Sequence, residues 1–166
     1  MTKEEFYTLA GVAFTPLEEF AARHDLHTKT ATDHLCYKCG SQQEFETLRA
    51  MLEGESEYVH QAFISGRRIA YIKLKKPVET ALGPAAFLEL TDQKPNGTQR
   101  SGFDHIEMYP TGVSYEELVE HLQSRGEEVK KIVCPHHTTD EMTLVGGFLV
   151  KLEAEPLIEK IKREEM

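Results

Sequence analysis

Apolar residues recur along this chain with two different periods. Near the N-terminus Phe6, Leu9, Ala10 and Val12 or Ala13 fall on one helical face. Thr15-Pro16-Leu17-Glu18 then reads as a second helix start, with a threonine cap, a proline at the first helical position and a glutamate at the third. Further on, Phe45, Leu48, Met51 and Leu52 form one stripe, and Tyr115, Leu118, Val119 and Leu122 form another, opened by a capping box of Ser114 and Glu117. Both of these helices are expected to stop near a glycine, Gly54 and Gly126. Leu157, Ile158 and Ile161 give the C-terminal segment one apolar side, so it reads as a short amphipathic helix.

Between the helical stretches the period drops to two, and the order of elements repeats. Asp33-His34-Leu35-Cys36-Tyr37-Lys38 opens one unit, and Asp104-His105-Ile106-Glu107-Met108-Tyr109 opens the other. Each opening strand is followed by a helix, then by two strand-like runs: 57–64 and 68–75 in the first unit, 128–134 and 141–145 in the second. The units close on Ala86-Phe87-Leu88-Glu89-Leu90-Thr91 and on Phe148-Leu149-Val150-Lys151-Leu152-Glu153, both with a leucine immediately before a glutamate. The pattern predicts one compact α+β domain: an N-terminal helical extension over 1–31, a βαβββ module over 32–91, a linker over 92–102 rich in turn-forming residues, a second βαβββ module over 103–154, and a C-terminal helix over 155–166.

Strand alternation turns the repeat into a candidate site. If Leu35, Tyr37, Ile106 and Met108 pack on the helices, then His34, Cys36, His105 and Glu107 face away from them. On the closing strands, Glu89, Lys151 and Glu153 share that opposite face. His34, Glu89, His105 and Glu153 therefore form a candidate ligand set for one divalent transition metal: zinc, nickel, cobalt, manganese or iron. Tyr71 and Lys73 alternate onto the same side, and His136 lies in the turn between the second module's middle strands, so these three are candidate substrate contacts. Glu107, two residues after His105, is a candidate second-sphere partner or proton carrier, and Glu153 a ligand that doubles as the catalytic base.

Composition limits the partners. With 19 Lys and Arg against 28 Asp and Glu, the formal charge of -9 repels phosphate backbones and anionic lipid, which argues against nucleic-acid and membrane partners. No stretch reads as a signal peptide or a membrane span, and the expected location is cytoplasmic. Three cysteines are too few for a disulfide framework. Cys36 and Cys39 are three positions apart on a strand and face opposite sides, so they read as separate core or cavity residues rather than a zinc half-motif.

The paired βαβββ pattern with its Asp-His openings resembles the vicinal oxygen chelate superfamily, and His34, Glu89, His105 and Glu153 follow the ligand order of a bacterial glyoxalase I. The helical extension and the Pro135-His136-His137 run make the whole chain resemble more narrowly the bacterial YecM family, described as candidate metal-binding proteins of this fold. The resemblance implies a metal-dependent enzyme acting on a small molecule with adjacent oxygen atoms, by lyase or isomerase chemistry through a chelated enolate or oxyanion. The alternative it implies is a small-molecule binding or sequestering protein without turnover. The short glyoxalase chains lack the helical extension, which is expected to cover the cavity or an interface.

Overall fold

The computed structural model describes residues 1–134 and 137–166. Its elements are α1 (Lys3–Ala13), α2 (Thr15–His24), β1 (Thr30–Ala31), β2 (His34–Lys38), α3 (Gln42–Glu53), β3 (Val59–Ile64), β4 (Arg67–Thr80), β5 (Gly83–Thr91), β6 (Gly102–Pro110), α4 (Tyr115–Ser124), β7 (Lys130–Val133), β8 (Thr138–Thr143), β9 (Leu149–Leu152) and α5 (Leu157–Glu165). One sheet runs in the order β3-β4-β5-β2-β6-β9-β8-β7, with the short β1 paired to β6. The two opening strands, β2 and β6, lie antiparallel at its centre. Each is flanked by the closing strand of its own module in parallel, β5 on β2 and β9 on β6. This is the architecture the repeat predicts, two βαβββ units about a local two-fold.

One face of the sheet carries the core. Leu35, Tyr37, Leu88, Leu90, Ile106, Met108, Val150 and Leu152 are buried together with Phe45 and Leu48 of α3 and Leu118 and Leu122 of α4. The two helices hold their positions partly through their caps: Ser41 and Ser114 accept from backbone amides at the third residue of each helix. The N-terminal extension joins this same layer. Phe6 sits 5.3 Å from Phe103 and Phe14 sits 5.5 Å from Phe148, ring centre to ring centre. Helices α1 and α2 thus thicken the core and do not cover the inner face.

The inner face is covered by α5. Ile161 packs on Ile69 and Tyr71, the backbone N–H of Ile158 donates to Asp33 Oδ2 at 3.0 Å, and Lys160 pairs with Glu153. At its far end, Glu165 pairs with His60 at 2.5 Å and accepts from the Tyr58 hydroxyl at 2.9 Å. The apolar side read from the sequence is therefore buried against the sheet.

Three local expectations differ from the structure. Strand β4 extends to Thr80, because a register shift between Lys73 and Val78 accommodates Pro77 without a ladder hydrogen bond. Strand β8 already begins at Thr138, which shortens the turn expected over 135–140. Thr15 lies inside α2, whose cap residue is Phe14 and makes no side-chain cap hydrogen bond.

Candidate metal centre

The central four strands bring the candidate side chains into two transverse rows. Cys36 on β2 is the Cα partner of Glu89 on one side and of His105 on the other, and Tyr71 continues that row beyond Glu89. In the adjacent row, His34 pairs with Phe87 on β5, while Glu107 pairs with Lys151 on β9. Side chains in such rows stand about 4.8 Å apart, close enough to converge on one ion.

Two overlapping groups of ligand-type atoms result, each with its atoms within 4.8 Å of one another: Cys36, Glu89 and His105, and His34, Glu89 and Glu107. Glu89 is common to both. His34 Nε2 lies 3.4 Å from Glu107 Oε1 and 3.9 Å from Glu89 Oε2. The Cys36 thiol donates to Glu89 Oε1 at 3.5 Å.

Both histidines are oriented by the aspartate that precedes them. His34 Nδ1 is 2.9 Å from Asp33 Oδ1, and His105 Nδ1 is 2.8 Å from Asp104 Oδ2. In the second pair Asp104 lies at a register shift: Cys36 faces His105 and Tyr37 faces Phe103, so Asp104 has no partner on β2 and strict face alternation is broken there. Its other oxygen is 2.7 Å from Lys38 Nζ. With Nδ1 engaged, each ring presents Nε2 to the inner face, the arrangement in which imidazoles bind metals.

His105 Nε2 has no hydrogen-bond partner, and His34 Nε2 makes no well-aligned hydrogen bond, meeting Glu107 Oε1 only as a 3.4 Å charge contact. Among the described residues, His34 Nε2, His105 Nε2, Glu107 Oε2 and His24 Nδ1 are the buried side-chain polar atoms left unsatisfied, and three of these four belong to this cluster. His34 is 1% exposed and His105 3%. A buried polar atom without a partner costs about 1–3 kcal/mol, so two imidazoles and a carboxylate held this way fit a cation that would satisfy them.

The charges around the cluster are strongly coupled. Burial disfavours the His34 imidazolium, yet Glu107 and Asp33 outweigh it and raise its pKa well above the ordinary histidine value. Burial likewise pushes Glu107 upward, but His34 and then His105 hold its carboxyl far below the usual range. The Lys151 ammonium is disfavoured by burial and held charged by Glu89 and Glu107. Burial, reinforced by Glu89, pushes the Cys36 thiol well up.

The sequence-derived candidates separate in the structure. Glu89 joins His105 and Cys36 in one group and His34 and Glu107 in the other, and Tyr71 lies beside them, lining a pocket together with Asp33, His34, Phe87 and the α5 residues Leu157, Ile158 and Ile161. Glu153 belongs to neither ligand group. It sits just past the end of β9, and its carboxylate pairs with Lys160. The residue that stands to His105 and Glu107 as Glu89 stands to His34 and Cys36 is Lys151, two positions earlier. Lys73 shares the face, but its ammonium is 2.7 Å from Glu57. His136 lies outside the described residues. Asp33, Asp104 and Cys36 were missed as site residues, although the Asp-His dipeptide at both openings was the signal for the first two.

A family model for the YecM protein matches residues 12–161. The chain belongs to the YecM family. Among solved structures, the structural-genomics protein EC4020 is 24% identical over 96% of this chain and 92% of its own, with a TM-score of 0.71, which shows the same fold. Methylmalonyl-CoA epimerase from Mycobacterium tuberculosis is 15% identical over 78% of this chain and 91% of its own, with a TM-score of 0.49. The Streptomyces coelicolor epimerase, in complex with 2-nitronate-propionyl-CoA, is 18% identical over 75% and 96%, with a TM-score of 0.46. No curated protein matches the sequence. No helix among the described residues is long and apolar enough to cross a membrane.

Proposed function

We propose that this protein is a metal-dependent enzyme that acts on a small molecule with adjacent oxygen atoms. The observation that carries the reading is the pair of buried Nε2 atoms of His34 and His105, neither in a well-aligned hydrogen bond, each ring held through Nδ1 by its own aspartate, with Glu89 common to the two ligand groups. His34, His105 and Glu89 would hold one divalent cation of the zinc, nickel, cobalt, manganese or iron class, and three protein ligands leave positions open for substrate oxygens. When bound, such a cation stabilises an enolate or related oxyanion formed from the substrate.

In this reading Glu107 is the base. It reaches the inner face beside His34, is 7% exposed, and keeps Oε2 buried without a partner. Glu153, the base expected from the sequence, has its carboxylate on Lys160 instead. Tyr71 adds a hydroxyl to the wall of the site, and Lys151 a positive charge that helps neutralise an anionic substrate. Leu157, Ile158 and Ile161 of α5 line the pocket at His34, so in this reading substrate enters there when α5 moves. The position of α5 over this face is also what favours the second reading, a closed centre that binds without turnover.

The test starts with elemental analysis of protein purified without a histidine tag. About one transition metal per chain is expected, and His34→Ala and His105→Ala should each lose it. Full metal content in both variants overturns the site. A panel of dicarbonyl, hydroxyketone and acyl-thioester compounds is then assayed for solvent-deuterium exchange at the carbon next to the chelating oxygens. Glu107→Gln should keep metal and lose exchange, whereas Glu153→Gln should keep both. Unchanged exchange in metal-loaded Glu107→Gln assigns the base elsewhere.

A further inference from the structure

We propose that the Cys36 sulfur is a ligand of this centre, which makes it a thiolate-containing site that selects zinc or cobalt(II) over magnesium, calcium or manganese. The inference rests on the metal reading above and deepens it by naming a further donor and the cation class; substrate oxygen then enters by expansion of the shell to five-coordinate.

Register places the sulfur. Cys36 is the only β2 residue whose Cα partners on both sides are candidate ligands, Glu89 on β5 and His105 on β6. All three side chains leave adjacent strands on the inner face, and their ligand atoms lie within 4.8 Å of one another. Cys36 itself is fully buried. It faces away from the apolar core cluster that contains Cys39, so its position is not explained by packing among the helices.

The second, independent observation is His105. Its Nε2 is buried, unpartnered and in the same three-atom group as the Cys36 sulfur. The distances already approach those of a coordination shell. With a metal–sulfur bond of ~2.3 Å and a metal–oxygen bond of ~2.1 Å at a tetrahedral angle, sulfur and oxygen stand ~3.6 Å apart. Cys36 Sγ and Glu89 Oε1 are separated by 3.5 Å, so neither strand has to shift for a cation to replace the thiol proton between them. On binding, the S–H bond gives way to a sulfur–metal bond, the proton leaves to solvent, and no electron is transferred. Thiolate is a soft donor, and a set that adds a thiolate to imidazole and carboxylate suits zinc and cobalt(II) far better than it suits hard, oxygen-seeking cations.

The repeat shows why the sulfur occurs once. The position equivalent to Cys36 in the second module is Glu107, and the position equivalent to Glu89 is Lys151. One half of the local two-fold therefore offers Cys and Glu as donors, and the other offers a carboxylate beside an ammonium. A cation is drawn to the first half, which leaves Glu107 for proton transfer.

The experiment is cobalt(II) substitution of the full chain, stripped with chelator and followed by absorption spectroscopy. The expected result is visible d–d bands together with a near-ultraviolet sulfur-to-cobalt charge-transfer band, the latter lost in Cys36→Ser and kept in Cys39→Ala and Cys134→Ser. Cobalt d–d bands without the charge-transfer band in wild type would show a bound cation with no sulfur ligand. That outcome overturns this proposal and leaves the metal reading standing. No cobalt bound at all overturns both. Should Cys36→Ser fail to fold, zinc X-ray absorption on wild type decides instead: a sulfur shell at ~2.3 Å supports the assignment, and a shell of nitrogen and oxygen alone rejects it.

Discussion

Asp104→Asn isolates the orientation of one ligand from the ligand itself. In the structure His105 Nδ1 is 2.8 Å from Asp104 Oδ2, and Nε2 faces the candidate centre with no other partner. Asparagine keeps an oxygen that can accept from Nδ1–H but removes the charge. A charge-assisted hydrogen bond contributes about 1.5–3 kcal/mol against about 0.5–1.5 for a neutral one, so roughly 1–1.5 kcal/mol of orientation and ligand basicity is lost. That corresponds to a fall in zinc affinity of about tenfold. Asp104→Ala leaves Nδ1–H without its acceptor and should approach the hundredfold loss found for removal of such supporting groups. Lys38→Ala is the control, because it removes only the partly exposed ion pair with the other Asp104 oxygen, worth about 0–1 kcal/mol. Affinities would be measured by competition with a chromophoric chelator, alongside thermal melts of the metal-free proteins. Wild-type affinity in both Asp104 variants, with His105→Ala losing the metal, would refute the orienting role of the aspartate.

Other perturbations probe the surroundings of the centre. Lys151→Met removes an ammonium from beside Glu89 and Glu107; even ~1 kcal/mol of relieved repulsion should tighten cation binding roughly fivefold, read in the same chelator competition. Ile161→Ala deletes a side chain that is 5% exposed and packs on Ile69 and Tyr71, so a denaturant melt should show a loss of about 2–4 kcal/mol. For the metal-free protein, the raised His34 pKa gives a stabilisation fully present below pH 6.5 and lost as pH rises through the higher folded-state value. The depressed Glu107 pKa gives one present above pH 4.5 and lost on further acidification. Chelator-treated protein is therefore expected to melt at a higher temperature near pH 6 than near pH 9, and a flat or inverted profile would contradict the His34–Glu107 coupling.

The sequence by itself determined the architecture and the face on which chemistry gathers. Local signals were enough for this: the twin Asp-His openings, the 3.6-residue stripes of Phe45 and Leu118, the Ser114 capping box and the period-two alternation around them. Alternation assigns a face but is blind to a shift of two residues, which leaves every side chain on the same side. That is why the sequence placed Lys151 and Glu153 on the same face and Glu153 alone was read as a ligand, whereas in space the two positions differ. Only the pairing of β9 with β6 sets Lys151 opposite Glu107 and leaves Glu153 past the strand end, on Lys160. The same non-local registers set Cys36 between Glu89 and His105, and a register shift invisible to periodicity leaves Asp104 beside His105. The amphipathic helices likewise announced an apolar side without naming its partner. Packing decided that α1 and α2 join the core layer while α5 closes the inner face, because what covers a stripe depends on which surface the folded sheet leaves open.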